Sequence, residues 1–160
     1  MSQRADGWLL LVEDSADDRE LTTRALRRGC FAGPVETAEN GVEALDLLFC
    51  RGRWGDRDPG DVPVVVLLDL KMPFVDGIET LTEIKRSERL RDVPVVMLTS
   101  SAQEIDLERC YALGANSYIV KPVDIDQFFH AVQELGRYWT LLNHPAREAL
   151  HGLGSPRSDP

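Results

Sequence analysis

The sequence predicts a doubly wound α/β fold, five strands alternating with five helices around a parallel sheet, and three observations carry that reading. Short runs rich in Val, Ile and Leu recur five times along the chain. Between them, apolar residues return every three or four positions, the period of a helix with one buried face. The runs are near-continuously apolar instead of alternating, so both faces of each strand must be covered, which places helices above and below a parallel sheet.

The first strand is expected at 8–12, WLLLV. Ser15, with Asp18 three residues on, forms a helix N-cap arrangement; Leu21, Ala25 and Leu26 supply an apolar stripe. Gly29 can end that helix, about 15–28, in a left-handed cap. A weaker strand at 35–38 leads to a second helix that starts near Asn40-Gly41 and carries Val42, Leu45, Leu48 and Phe49 at helical spacing. Residues 52–63, GRWGDRDPGDVP, read as an exposed loop that lengthens the next connection, because Gly, Asp and Pro are turn formers. Trp54 within it reads either as an anchor for a partner or as a satellite of the core.

The third strand is expected at 64–68, followed by a helix with Ile78, Leu81 and Ile84 on one face. A fourth strand at 95–98, a helix over about 103–113 and a fifth strand at 117–120 complete the alternation up to a last helix that begins near Asp124. There Phe128, Val132, Leu135, Trp139 and Leu142 follow a 4-3-4-3 spacing, so one stripe persists through several turns. Right-handed crossovers leave few arrangements of five such units, and the flavodoxin-like order 2-1-3-4-5 is expected. One domain over 1–143 and a flexible tail over 144–160, where the apolar period stops, account for the chain.

Composition narrows the functional classes. Apolar residues at 43% and charged residues at 28% belong to a folded globular protein, not to a disordered one. A net charge of −9 argues against direct DNA binding, which relies on clustered Lys and Arg to neutralise phosphates. No apolar run approaches the roughly 20 residues that cross a bilayer, and the opening MSQRADG lacks the apolar middle of a secretory signal, so no membrane association and a cytoplasmic location are expected. Cys30, Cys50 and Cys110 are odd in number and far apart, and they read as reduced, partly buried thiols.

In open parallel sheets, ligands bind at the carboxyl ends of the strands. Here strand one runs into Glu13-Asp14, strand three into Asp69, strand four into Thr99-Ser100-Ser101 and strand five into Lys121-Pro122. Taken alone, acidic residues at a strand end are ordinary solvated loop charge, and Lys-Pro is an ordinary turn. Their joint placement on one rim is what overturns that reading. Carboxylates converging there repel one another unless a cation sits among them, which implies a hard divalent ion, Mg²⁺ or Mn²⁺. Asp14 and Asp69 are the expected direct ligands, with Glu13 acting through water and the Lys71 carbonyl filling another place. Lys121 is placed to pair with Asp69 and then with a phosphoryl oxygen, and Thr99 offers a hydroxyl to another oxygen. In-line attack by Asp69 on phosphorus needs mainly positioning and charge neutralisation, which metal and lysine supply.

The strings LLLVEDSADDRE, VVVLLDLKMPFVDGIE, VPVVMLTSSAQE and GANSYIVKPVD resemble the motifs of two-component response-regulator receiver domains, over about residues 7–140. The intervals of 30 residues from Asp69 to Thr99 and 22 from Thr99 to Lys121 match that family's spacing. The resemblance implies that Asp69 is the phosphoacceptor, Glu13 and Asp14 the acidic pair, Thr99 the switch hydroxyl, Lys121 the phosphate-contacting lysine and Pro122 the residue after a cis peptide bond. It implies that Tyr118 is an aromatic switch residue and that Lys71 and Ser101 modulate dephosphorylation. Neither of those two is a carboxylate or amide able to orient a water, so a long-lived phosphorylated form is expected.

The insertion RGRWGDRDPGDVP and the ending FFHAVQELGRYWTLLNHP further resemble stand-alone regulators paired with bacterial phytochrome kinases. By that resemblance the donor is a sensor histidine kinase of bacteriophytochrome type, and the chain forms a homodimer through helix four, strand five and helix five. The stripe Phe128, Val132, Leu135, Trp139 and Leu142 would supply part of that interface. Two competitors are weaker. A haloacid-dehalogenase-type phosphatase needs a second Asp two residues after the nucleophile, where this chain has Lys71, and no GxGxxG or GxxxxGK[ST] follows any strand.

Overall fold

A computed structural model describes residues 7–28, 31, 33–100 and 104–134. The strands are β1 Leu9–Val12, β2 Val35–Ala38, β3 Val65–Asp69, β4 Val95–Thr99 and β5 Ser117–Val120, and all pairs are parallel in the order β2-β1-β3-β4-β5. The helices are α1 Ala16–Arg28, α2 Gly41–Leu48, α3 Gly77–Arg86, α4 Glu104–Ala112 and α5 Ile125–Glu134. This is the flavodoxin-like architecture that the alternating pattern predicts.

The near-continuous apolar strands divide residue by residue between two cores. Leu10, Val12, Val66, Leu68, Val95 and Met97 pack with Ala44 and Leu48 of α2 and Leu81 and Ile84 of α3. Leu9, Leu11, Val65, Leu67, Val96 and Leu98 face the other way, onto Ala25 and Leu26 of α1 and Phe128 and Ala131 of α5. Each such buried aliphatic side chain contributes about 1.5–3 kcal/mol, so the central strands hold the rim residues on a stiff platform.

Local chemistry sets where the helices begin. The side chains of Ser15, Asn40, Asp76 and Asp124 accept the N–H groups of Asp18, Glu43, Glu79 and Gln127, each satisfying a donor that the first turn leaves open. Gly77 opens α3 tightly against the end of β3: a Cβ there would lie 2.3 Å from the Asp69 carbonyl oxygen and 2.8 Å from Leu70 Cα. Only glycine lets α3 start this close to the rim.

One expectation changes. Phe128 is 1% exposed and sits in the α1/α5 core, so its ring covers the sheet and is not available to a dimer interface. Of the rest of that stripe, the Val132 side chain, Leu135, Trp139 and Leu142 lie outside the described residues, as do Cys30, Ser101 and the 144–160 tail. Segment 52–63 is the mostly exposed loop expected, with side chains tied back to the core. It begins with a 3-10 turn, Gly52–Trp54, and Trp54 and Val62 pack against the α2/α3 core. Asp61 accepts the indole N–H of Trp8 at 2.9 Å, Arg57 lies over the Trp8 ring and pairs with Glu36 at 3.2 Å, and Arg89 donates to the carbonyls of Pro59 and Leu48. Trp54 is therefore a satellite of the core.

Candidate functional site

The carboxyl ends of β1, β3, β4 and β5 bring the sequence-predicted polar residues to one rim. Glu13, just past β1, is buried, Asp69 and Thr99 end β3 and β4 at 3% and 4% exposure, and Lys121 follows β5. Asp14 is exposed at the mouth of the pocket. One carboxylate oxygen from each of Glu13, Asp14 and Asp69 lies within 4.8 Å of the others. An all-oxygen set at this spacing, open to water on the Asp14 side, fits a hard divalent cation that keeps part of its water shell.

Lys121 is the hub of the pocket. Its Nζ donates to Glu13 Oε2 at 3.1 Å and Oε1 at 3.2 Å, to Asp18 Oδ2 at 3.2 Å and to Asp69 Oδ2 at 3.3 Å. The backbone behind it is anchored to β4, since Lys121 N–H donates to the Thr99 carbonyl at 2.7 Å, and the Lys121–Pro122 peptide is cis. Backbone donors orient the acids as well: Ser15 N–H reaches Glu13 Oε1 and Lys71 N–H reaches Asp69 Oδ1, each at 3.3 Å.

Crowding of the acids leaves an electrostatic signature. Burial, then the hydrogen bond and charge of Asp69, push the Glu13 carboxyl up to about 7, with Lys121 opposing. Burial alone would lower the Lys121 ammonium, but the charges of Asp69 and Glu13 and the hydrogen bonds of Glu13 and Asp18 outweigh it and raise its pKa. The acids around it thus favour the charged form of Lys121.

Two contributors escape a sequence reading. Asp18 looks like a capping-turn residue, yet its carboxylate is one of the three that hold Lys121. Arg19 donates to the carbonyls of Glu13 and Asp14 at 2.8 and 3.2 Å and so straps the β1–α1 connection in place. The only sequence signal for either is position, since the first turn of a helix after β1 must overhang the rim. Among the remaining predicted residues, Lys71 is exposed, and Tyr118 is 39% exposed with its ring edge-to-face on Tyr111 at 6.3 Å.

A family model of the response regulator receiver domain matches residues 9–133. The chain belongs to the receiver family. This receiver is 44% identical over 131 residues to the probable methanogenesis regulatory protein FilR2 of Methanothrix harundinacea, across 82% of each chain. It is 34% identical to the response regulator Rcp1 of Synechocystis, over 82% of this chain and 87% of Rcp1. The structure of the bacteriophytochrome response regulator AtBRR matches with a TM-score of 0.78 at 53% identity, over 86% of this receiver and 98% of AtBRR. The phosphorylated cyanobacterial phytochrome response regulator RcpA matches at TM-score 0.69 and 34% identity, over 83% and 93% of the two chains. The Mn²⁺-bound form of Rcp1 matches at 0.68 and 33%, over 84% and 94%. Receiver domains are signalling modules that take phosphoryl groups from histidine kinases. Among the described residues, no helix is long and apolar enough to cross a membrane.

Proposed function

We propose that this receiver accepts a phosphoryl group onto Asp69 from a sensor histidine kinase, in a reaction that needs Mg²⁺ or Mn²⁺. The observation that carries this reading is the convergence of the Lys121 ammonium and the Glu13 and Asp14 carboxylates on the Asp69 carboxylate at the sheet's rim. Asp14, Asp69 and the Lys71 carbonyl would hold the ion, and Glu13, buried behind them, would act through water. A bound divalent cation supplies charge neutralisation on the phosphoryl oxygens. An Asp69 oxygen forms the new bond to phosphorus, and the bond from phosphorus to the kinase imidazole nitrogen breaks. Lys121 and Thr99 then take the phosphoryl oxygens, and Tyr118 leaves its resting contact with Tyr111 as Thr99 is drawn toward them. With Lys71 and Ser101 at the modulating positions, the acyl phosphate is long-lived.

The kinase proposed is of bacteriophytochrome type, a reading supported by the likeness to AtBRR and RcpA. Both proteins meet in the cytoplasm. Mixing the purified chain with a phosphorylated kinase of that type and Mg²⁺ is expected to move label onto the wild type. Asp69→Asn, or EDTA, is expected to leave it on the kinase. Label that persists for hours after the kinase is removed fits the long lifetime; loss within seconds contradicts it.

Output passes through protein contacts, and we assign homodimerisation to the face of α4, β5 and α5. Phe128 does not contribute to it, but Tyr111 and Tyr118, 46% and 39% exposed, place adjoining aromatic rings there. Sedimentation velocity with beryllofluoride and Mg²⁺ present is expected to show a dimer at micromolar concentration. A monomer alone would remove this assembly.

A further inference from the structure

We infer that Asp18 is a positioning residue that holds Lys121 in reserve: its carboxylate competes with the incoming phosphoryl group for the lysine's third N–H. This rests on the phosphoacceptor reading above and adds to it a residue outside the Glu13, Asp14 and Asp69 set. An ammonium has three protons, and in the resting pocket they face three carboxylates, at 3.1 Å (Glu13), 3.2 Å (Asp18) and 3.3 Å (Asp69). No donor is left over for a phosphoryl oxygen, so one of these bonds must be surrendered when phosphorus arrives.

Burial decides which. The Glu13 and Asp69 side chains are 1% and 5% exposed, whereas that of Asp18 is 40% exposed. Glu13 keeps its charge throughout and Asp69 keeps it until phosphorus bonds, so stripping either of its cation as the donor arrives carries the full desolvation penalty, whereas half-exposed Asp18 replaces the lost bond with water. Asp18 is also anchored independently of the lysine, because its own N–H donates to Ser15 Oγ at 3.2 Å on the first turn of α1. Lys121 can leave it without moving the helix. The negative charge of Asp18 lies 3.2 Å from the ammonium that must receive an anionic donor, and a like charge there opposes the donor's approach.

The step at issue is small and balanced. With acetyl phosphate as donor, an Asp69 oxygen bonds to phosphorus and the bond from phosphorus to the acetyl oxygen breaks. Acetate departs with the electron pair, and Lys121 keeps its protons while exchanging one acceptor for another. Removing the Asp18 charge frees that donor and lowers the repulsion, so uptake should quicken by about three- to tenfold, the scale of one screened unit charge.

The test follows phosphorylation of the full chain by intact-protein mass spectrometry with acetyl phosphate and saturating Mg²⁺. It compares wild type, Asp18→Asn, Asp18→Ser, Asp18→Glu and Asp69→Asn over a range of ionic strength. The inference expects Asp18→Asn and Asp18→Ser to react three- to tenfold faster than wild type and with a weaker salt dependence. Asp18→Glu should restore the slow, salt-sensitive rate. A merely structural role for Asp18 would lower the melting temperature without altering the salt dependence. Neutral variants that fold and react no faster than wild type would overturn the inference while leaving the phosphoacceptor reading intact. If wild type and Asp69→Asn both take up the same mass, or neither does, the phosphoacceptor reading itself fails.

Discussion

Lys121→Ala is expected to slow phosphoryl uptake by about a hundredfold, the usual scale for removing one charged donor from a developing oxyanion. It should also destabilise the metal-free fold at pH 8 by about 2–3 kcal/mol. Both effects come from the same atom. Nζ bridges Glu13, Asp18 and Asp69, and taking it away leaves two nearly buried carboxylates facing one another without a cation. That destabilisation should shrink at pH 5, where Glu13 can take a proton, and should shrink at pH 8 when Mg²⁺ is added. Urea denaturation at both pH values, with and without Mg²⁺, measures it. A cost that ignores both pH and metal would mean that Lys121 acts only through packing of its aliphatic stem.

The second large effect is a pH dependence opposite in sense to that of most acidic proteins. Glu13 is held at about 7 in the fold, against 4.5 for an ordinary Glu. A group whose pKa is raised by folding stabilises the fold fully below its unfolded value and loses that contribution as pH climbs through the folded one. In EDTA the melting temperature should therefore fall between about pH 4.5 and 7, by roughly 5 °C for a contribution on the order of 2 kcal/mol. Mg²⁺ binds the ionised acids, so its stabilising effect should be small at pH 5 and large at pH 8. Glu13→Gln removes the titrating group and should flatten the EDTA profile. A melting temperature that rises steadily from pH 4.5 to 8 in EDTA contradicts this picture of the pocket.

These properties were legible in the chain to different depths. Strand composition is enough to place Glu13, Asp14, Asp69, Thr99 and Lys121 on one rim, because a parallel sheet leaves few alternatives for residues that directly follow its strands. What lies one turn further on is harder to read. Asp18 satisfies a capping pattern locally, and its partnership with Lys121 spans 103 residues, so no local period reveals it. Phe128 opens a 4-3-4-3 apolar spacing, but periodicity cannot say whether it faces the sheet or a second chain; its burial against Leu98 and Ile119 in one core shows that it faces the sheet. Segment 52–63 is the mostly exposed loop that its composition predicts, but its ties to the core are not legible there. Gly, Pro and Asp mark turns well, yet the contacts of Arg57 and Asp61 with Trp8 join residues about fifty positions apart.

Borohydride trapping puts the proposed chemistry to its sharpest trial. An acyl phosphate, unlike a phosphate ester on Ser or Thr, is reduced by borohydride to an alcohol, which marks the carboxylate that carried it. After reaction with a phosphorylated kinase and Mg²⁺, peptide mapping should find the reduced residue at Asp69 and nowhere else. A reduced residue at Glu13, Asp14 or Asp18, or a fully phosphorylated chain with no reducible site, would contradict the assignment of Asp69 as the phosphoacceptor.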